Sequence, residues 1–141
     1  MSDSVFTAWA RLLRAQTHLL GAVERELKQA GLPPLGWYDV LLELSRPGVD
    51  GLRPVELEKL LLLAQYNLSR LLDRLEKAGL VERHAVADDA RGQRVVITTA
   101  GRDLRERMWP AYRDAVRRHF AAKLSDREIE MLAQTLGKIT A

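Results

Sequence analysis

A chain of 141 residues is near the common size of one domain and can hide roughly two-thirds of its unfolded surface. At 47% hydrophobic and 29% charged residues, it has the composition of a globular protein and not of a disordered one. The absence of cysteine excludes disulfide scaffolds, thiolate zinc sites, thiol catalysis and thiol redox sensing together, and a net charge of +3 suits an anionic partner without requiring one.

The longest apolar run, Leu60 to Ala64, is far short of the roughly 18 residues that suggest a membrane span. Residues 1–7 lack the basic-then-apolar pattern of a secretory signal, so a cytoplasmic protein is expected, with no membrane partner. His18, His84 and His119 are scattered without ligand spacing. No metal and no cofactor is expected.

The first element is a long helix from Val5 to Ala30, in which Trp9, Leu12, Leu13, Leu19, Leu20, Val23 and Leu27 recur near helical spacing. Gly31 and Pro33-Pro34 stop it. A second helix, Leu35 to Leu44, carries Trp37, Val40, Leu41 and Leu44 on one face, and Pro47, Gly48, Asp50 and Gly51 form a turn cluster after it. Pro54 opens a third helix that runs to about Leu61. After a break at Leu62-Leu63, a fourth helix is predicted from Ala64 to Ala78, with a stripe of Leu68, Leu71, Leu72 and Leu75 and with Gly79 as its left-handed terminator.

The period then changes. Leu80 to Val86 and Arg94 to Thr98 are short β-branched segments, separated by a turn from Asp88 to Gln93, and together they predict a hairpin. Thr98 can cap a fifth helix reaching about Lys123, with Pro110 inside it as a source of a kink. Ser125 to Glu128 is a capping box for a final helix bearing Ile129, Leu132, Leu136 and Ile139. The expected fold is therefore mainly α with a small β-hairpin wing. It is a winged helix-turn-helix (residues 47–101) whose flanking helices (residues 1–46 and 102–141) form a dimerisation domain.

A helix, a tight turn, a second helix with an open polar face and then a hairpin make a shape that fits duplex DNA. The second helix suits the major groove, where base edges are distinct, and the hairpin reaches a neighbouring groove or the backbone. With its leucines turned inward, the Ala64–Lys77 helix leaves Gln65, Tyr66, Asn67, Ser69, Arg70, Asp73, Arg74 and Lys77 on its other sides. Gln and Asn can pair with adenine, and Arg with guanine or phosphate. The same residues on an isolated amphipathic helix would be a solvated face. The bracing helix before them and the hairpin after them argue for more.

The stretch from Leu57-Glu58-Lys59 through Leu68-Ser69-Arg70-Leu71-Leu72-Asp73-Arg74-Leu75-Glu76-Lys77-Ala78-Gly79-Leu80-Val81-Glu82-Arg83 resembles the helix-turn-helix of the MarR (multiple antibiotic resistance regulator) family. Asp89-Ala90-Arg91, Val95-Val96-Ile97-Thr98 and Gly101 follow it and are similar to that family's wing signature. The resemblance covers about Arg53 to Gly101. It implies a homodimeric, sequence-specific transcription regulator that reads a pseudo-palindromic operator in double-stranded DNA, a repressor released by a small aromatic or acidic effector. It also implies that Gln65, Tyr66, Asn67, Ser69, Arg70 and Arg74 contact bases or phosphates. Arg91 would enter the minor groove, Asp89 would hold that arginine, and Arg94 would contact phosphate.

The chain departs from the family pattern at Glu58, where a small alanine is common, and at Ala64, where a capping serine is common. From Ala64 to Arg94 six basic residues (Arg70, Arg74, Lys77, Arg83, Arg91, Arg94) face five acidic ones (Asp73, Glu76, Glu82, Asp88, Asp89). Binding must rely on placement and on two modules acting together.

Phe6, Trp9, Leu13 and Leu20 on the first helix, with the stripe of the last, exceed what one module easily buries, and a two-fold dimer would cover them. Arg14, His18, Trp37, Tyr38, Met108, Trp109 and Tyr112 would line an effector crevice of the kind the resemblance implies, although aromatics at helical spacing also serve as plain core. A winged-helix adaptor that binds proteins and not DNA is the alternative function. An enzyme is not expected, since no nucleophile, base and orienter share a motif.

Overall fold

The computed structural model describes residues 2–46, 49–62, 67–86 and 89–141, with the side chains of 86 and 89–91 excepted. The order is α1 (Asp3–Gln29), α2 (Leu35–Leu44), α3 (Pro54–Leu60), α4 (Leu68–Lys77), β1 (Val81–Val86), β2 (Asp89–Ile97), α5 (Thr99–His119), a 3-10 turn (Ala121–Lys123) and α6 (Asp126–Thr140). This is the expected mainly helical chain with a two-stranded antiparallel hairpin. Among the described residues no helix is long and apolar enough to cross a membrane. The chain divides into two compact units, Met1–Ala30 with Ala111–Ala141, and Gly31–Pro110.

The Gly31–Pro110 unit has its core around α2. Leu35, Tyr38, Val40, Leu41 and Leu44 are all buried, together with Leu57 of α3, Leu71, Leu72 and Leu75 of α4, and Leu104 and Met108 of α5. The hairpin contributes Val81, Val95 and Ile97, which share one face of the sheet because side chains alternate along a strand. The antiparallel register pairs Val81 with Ile97 and Arg83 with Val95. Val95 also exchanges backbone hydrogen bonds with Leu52 (2.8 and 3.0 Å). That bridge adds a third chain segment to the wing base, and local sequence patterning does not reveal it.

Four differences from the sequence expectation have local causes. Asn67, inside the helix predicted from Ala64, has an extended backbone (φ −76°, ψ 93°), so α4 begins at Leu68; residues 64–66, with the expected cap position Ala64, lie outside the described residues. Strand β2 begins at Asp89 and not at Arg94, so the predicted turn from Asp88 to Gln93 is mostly strand. The register slips between Ala85, opposite Gln93, and Val86, opposite Asp89, which places residues 90–92 in a bulge. The fifth helix stops at His119, and a separate 3-10 turn carries the chain to Lys123.

The junction between α4, the wing and α5 is closed by backbone geometry. Gly79 (φ 76°) turns the chain out of α4. The amide of Leu80 donates to Leu75 O and that of Gly79 to Glu76 O, each at 2.9 Å, the paired bonds of a Schellman terminus. Thr98 caps α5 through its hydroxyl, which accepts from the Gly101 amide (3.1 Å) and donates to Gly79 O (2.7 Å). A Cβ at Gly101 would collide with Leu80 O and with Ile97. Both neighbours are held, one as backbone and one in the core. Gly101→Ala is therefore expected to cost about 1–3 kcal/mol, readable as a lowered midpoint in chemical denaturation.

In the other unit, α1 buries Ala22, Val23 and Leu27 in its last third, and Ala115 of α5 is fully buried. The Glu26 carboxylate accepts from Arg118 Nη1 (2.6 Å) and lies 3.0 Å from His119 Nε2. The Arg118 hydrogen bond first, and that of His119 second, hold Glu26 below the usual carboxylate range. A carboxylate with a lowered folded pKa stabilises the fold fully above its ordinary value, and the contribution fades as pH falls through the folded value. Glu26→Gln should melt below the parent at pH 7. That gap should close only at pH below the ordinary carboxylate range, where the parent's own carboxylate protonates.

Helix α6 opens on the predicted capping box: Ser125 Oγ accepts from the Glu128 amide (3.1 Å) while Glu128 accepts from the Ser125 amide (2.9 Å). It nonetheless buries no residue completely. Between α1 and α6 runs an apolar groove of about 760 Å³, lined among others by Val5, Trp9, Leu12, Phe120, Leu132 and Leu136. Phe6 and Trp9 are 58% and 61% exposed, so this unit leaves a large apolar surface uncovered.

Candidate nucleic-acid interface

Helix α4 owes its boundaries to two caps. Asn67 Oδ1 accepts from the Arg70 amide (3.2 Å), which satisfies one of the free N–H groups of the first turn. Leu71, Leu72 and Leu75 are buried and Leu68 is half-buried. At about 100° per residue, the line opposite that stripe is Arg70, Asp73 and Lys77, with Ser69 and Arg74 on its flanks. All five are exposed.

The helix is braced from behind. The Asp39 carboxylate, buried on α2, accepts from the Leu62 amide through both oxygens (2.9 and 3.1 Å). That bond fixes the chain just after α3, at the start of the turn toward α4. Helical periodicity alone gives Asp39 no role. An acid at mid-helix in the largely apolar Leu35–Leu44 run, which holds Glu43 as its only other charge, is the available signal, since a buried carboxylate requires hydrogen-bond donors.

On the other side Arg83 of β1 donates from Nη2 to Asp73 Oδ1 at 2.8 Å and, at 3.5 Å, to Ser69 O. Arg94, expected at a phosphate, is exposed at the wing base, with long contacts of 3.4 and 3.5 Å to the carbonyls of Asp50 and Gly51.

The structure thus brings Asn67, Ser69, Arg70 and Arg74 together on one helix. Asn67 spends its carbonyl oxygen on the cap and keeps its NH₂ as a donor. Gln65 and Tyr66 lie outside the described residues, as do the side chains of Asp89 and Arg91.

Of the residues expected at an effector site, Tyr38 and Trp109 meet as stacked rings with centroids 6.5 Å apart. Burial is the main cause that raises the Tyr38 pKa, against the opposing pull of the Arg105 guanidinium beside its hydroxyl. Trp109 is 42% exposed, Trp37 is half-buried and Met108 is fully buried. Arg14, His18 and Tyr112 belong to the other unit, where Arg14 and His18 are exposed and Tyr112 is half-buried.

Residues 30–92, the segment that holds α2, α3, α4 and the start of the wing, match the profile of the MarR family. That segment carries the chain's likeness to the MarR family. Three solved MarR-type structures agree with it over most of their length. Sco3205, a MarR family transcriptional regulator from Streptomyces coelicolor solved in complex with DNA, is 27% identical with a TM-score of 0.87, covering 99% of this chain and 88% of its own. AbsC, a MarR family transcriptional regulator from the same organism, is 29% identical with a TM-score of 0.83, covering 99% and 94%. MepR of S. aureus, solved as a DNA complex, is 26% identical with a TM-score of 0.77, covering 94% and 95%. Helices α3 and α4 followed by the β1–β2 hairpin have the order of a winged helix-turn-helix.

Proposed function

We propose that this chain is a MarR-family regulator, a homodimer that binds a pseudo-palindromic operator in double-stranded DNA and acts as a repressor. The observation that carries the reading is α4 itself. It is a capped helix, braced by Asp39 and Arg83, whose outward side presents Ser69, Arg70, Arg74 and Lys77 to solvent. Ser69, Arg70 and the Asn67 amide would meet base edges or phosphates near the helix start, and Arg74 would meet the phosphate backbone. Gln65 and Tyr66 just before the helix, and Asp89, Arg91 and Arg94 of the wing, complete the proposed contact set.

The apolar groove between α1 and α6 supports the dimer. A second copy would bury Phe6 and Trp9 and place two recognition helices for half-sites about one helical turn apart. A small aromatic or acidic effector is proposed at Tyr38, whose ring stacks on the exposed Trp109 indole and whose hydroxyl lies beside the Arg105 guanidinium. Met108 would support that site from the core.

A gel shift against the DNA flanking the protein's own gene tests the reading, with the oligomeric state measured by light scattering. Binding should weaken steeply with salt, because phosphate contacts release counterions. Arg70→Ala should lose about tenfold in affinity. A protein adaptor would ignore the duplex and remain indifferent to that change.

The capping role of Asn67 gives a sharper test. Asn67→Asp keeps a cap acceptor at the helix start, so its melting temperature should stay close to the parent's. The added negative charge facing phosphate should cut duplex affinity about tenfold, as fluorescence anisotropy would record.

A further inference from the structure

Asp73 stands on the outward line of α4, three residues after Arg70 and four before Lys77, with 62% of its side chain exposed. A carboxylate there faces whatever α4 faces. If that is a duplex, as proposed above, it repels the phosphates that its neighbours attract. Among the described residues Asp73 pairs with neither Arg70 nor Lys77, although both lie within a turn of it. Its partner is Arg83, at 2.8 Å.

Arg83 is unlike the other cations in the reading. It sits on β1 opposite buried Val95, on the inward face of the hairpin, and only 23% of its side chain is exposed. Its Nε is buried without a hydrogen-bond partner, and its Nη2 lies against both the Asp73 carboxylate and the Ser69 carbonyl. A guanidinium so placed has little freedom to swing outward to a phosphate. It is held where it cancels the Asp73 charge and ties the wing to the first turn of α4.

We infer that Arg83 is a positioning residue for duplex recognition, which neutralises Asp73 on the outward face of α4. The inference rests on the DNA-binding reading and adds to it a residue that need not touch DNA.

The test is a charge-pair cycle on the full-length protein: Arg83→Gln, Asp73→Asn and both together. Affinity for a labelled duplex carrying the DNA that flanks the protein's own gene is measured by anisotropy at several salt concentrations, with melting curves alongside. Arg83→Gln should bind about tenfold more weakly, with the loss largest at low salt. Asp73→Asn should bind at least as tightly as the parent. The double variant should return to within about threefold of the parent, because the unpaired carboxylate is gone.

An unchanged Arg83→Gln overturns the inference, and so does a double variant as weak as Arg83→Gln, which would make Arg83 a direct DNA contact. An Asp73→Asn as weak as Arg83→Gln also overturns it, since Asp73 itself would then be required. If Arg83→Gln melts below the assay temperature, Arg83→Lys takes its place. It keeps the charge and should bind within about threefold of the parent, and a tenfold loss there overturns the inference. A parent protein that binds no duplex at low salt sinks the DNA-binding reading itself, an outcome distinct from all of these.

Discussion

The knot at Gly79, Leu80, Thr98 and Gly101 is the constraint on which the recognition unit depends. Two short stretches of backbone, residues 79–80 and 98–101, end α4, start β1, close β2 and start α5, and hydrogen bonds join them to each other. The Leu80 carbonyl accepts from the Thr98 amide at 3.1 Å, while the bare Cα of Gly101 lies against it. Buried backbone groups must find partners, and here they find one another. The direction of α4 relative to the wing is thereby set by main-chain bonds, which leaves the side chains of both elements free to diversify.

Charge on the recognition side is managed by pairing and not by excess. The segment from Ala64 to Arg94 is almost neutral by count, yet its exposed line on α4 keeps Arg70, Arg74 and Lys77 available while Asp73 is matched from the wing. Exposed ion pairs usually contribute little to stability. A pair in this position acts on the field that the helix presents, and a field is what an anionic polymer senses first.

Much of this was legible in the chain. Helix α2 occupies the predicted residues, the Ser125 box caps α6, Thr98 caps α5, and Gly79 has the left-handed backbone that its position demanded. These are features whose partners lie within one turn. The start of α4 was not legible, because Asn67 continues the leucine period as well as it ends it, and its N3 neighbour is Arg70 where a capping box would carry Glu or Gln. The early start of β2 was hidden for a different reason. Asp-Ala-Arg-Gly-Gln has turn composition, and only its pairing partner across the hairpin makes it a strand. The Leu52–Val95 bridge and the Asp39 anchor on Leu62 join residues too far apart for a local pattern to contain both ends. The Arg83 bond to Asp73 spans ten residues but crosses from a helix to a strand, where neither period predicts the meeting.

The slip in the hairpin register has an evolutionary consequence. Among the described residues, those that the hairpin commits to the core, Val81, Val95 and Ile97, lie on the base side of the step between Ala85 and Val86. Beyond that step, insertions and deletions change only how far the tip extends, and the cost of closing a somewhat longer loop grows slowly with its length. Descendants of this chain can therefore retune their grip on a target by altering the length of the tip, while the scaffold that holds the reading helix is inherited unchanged.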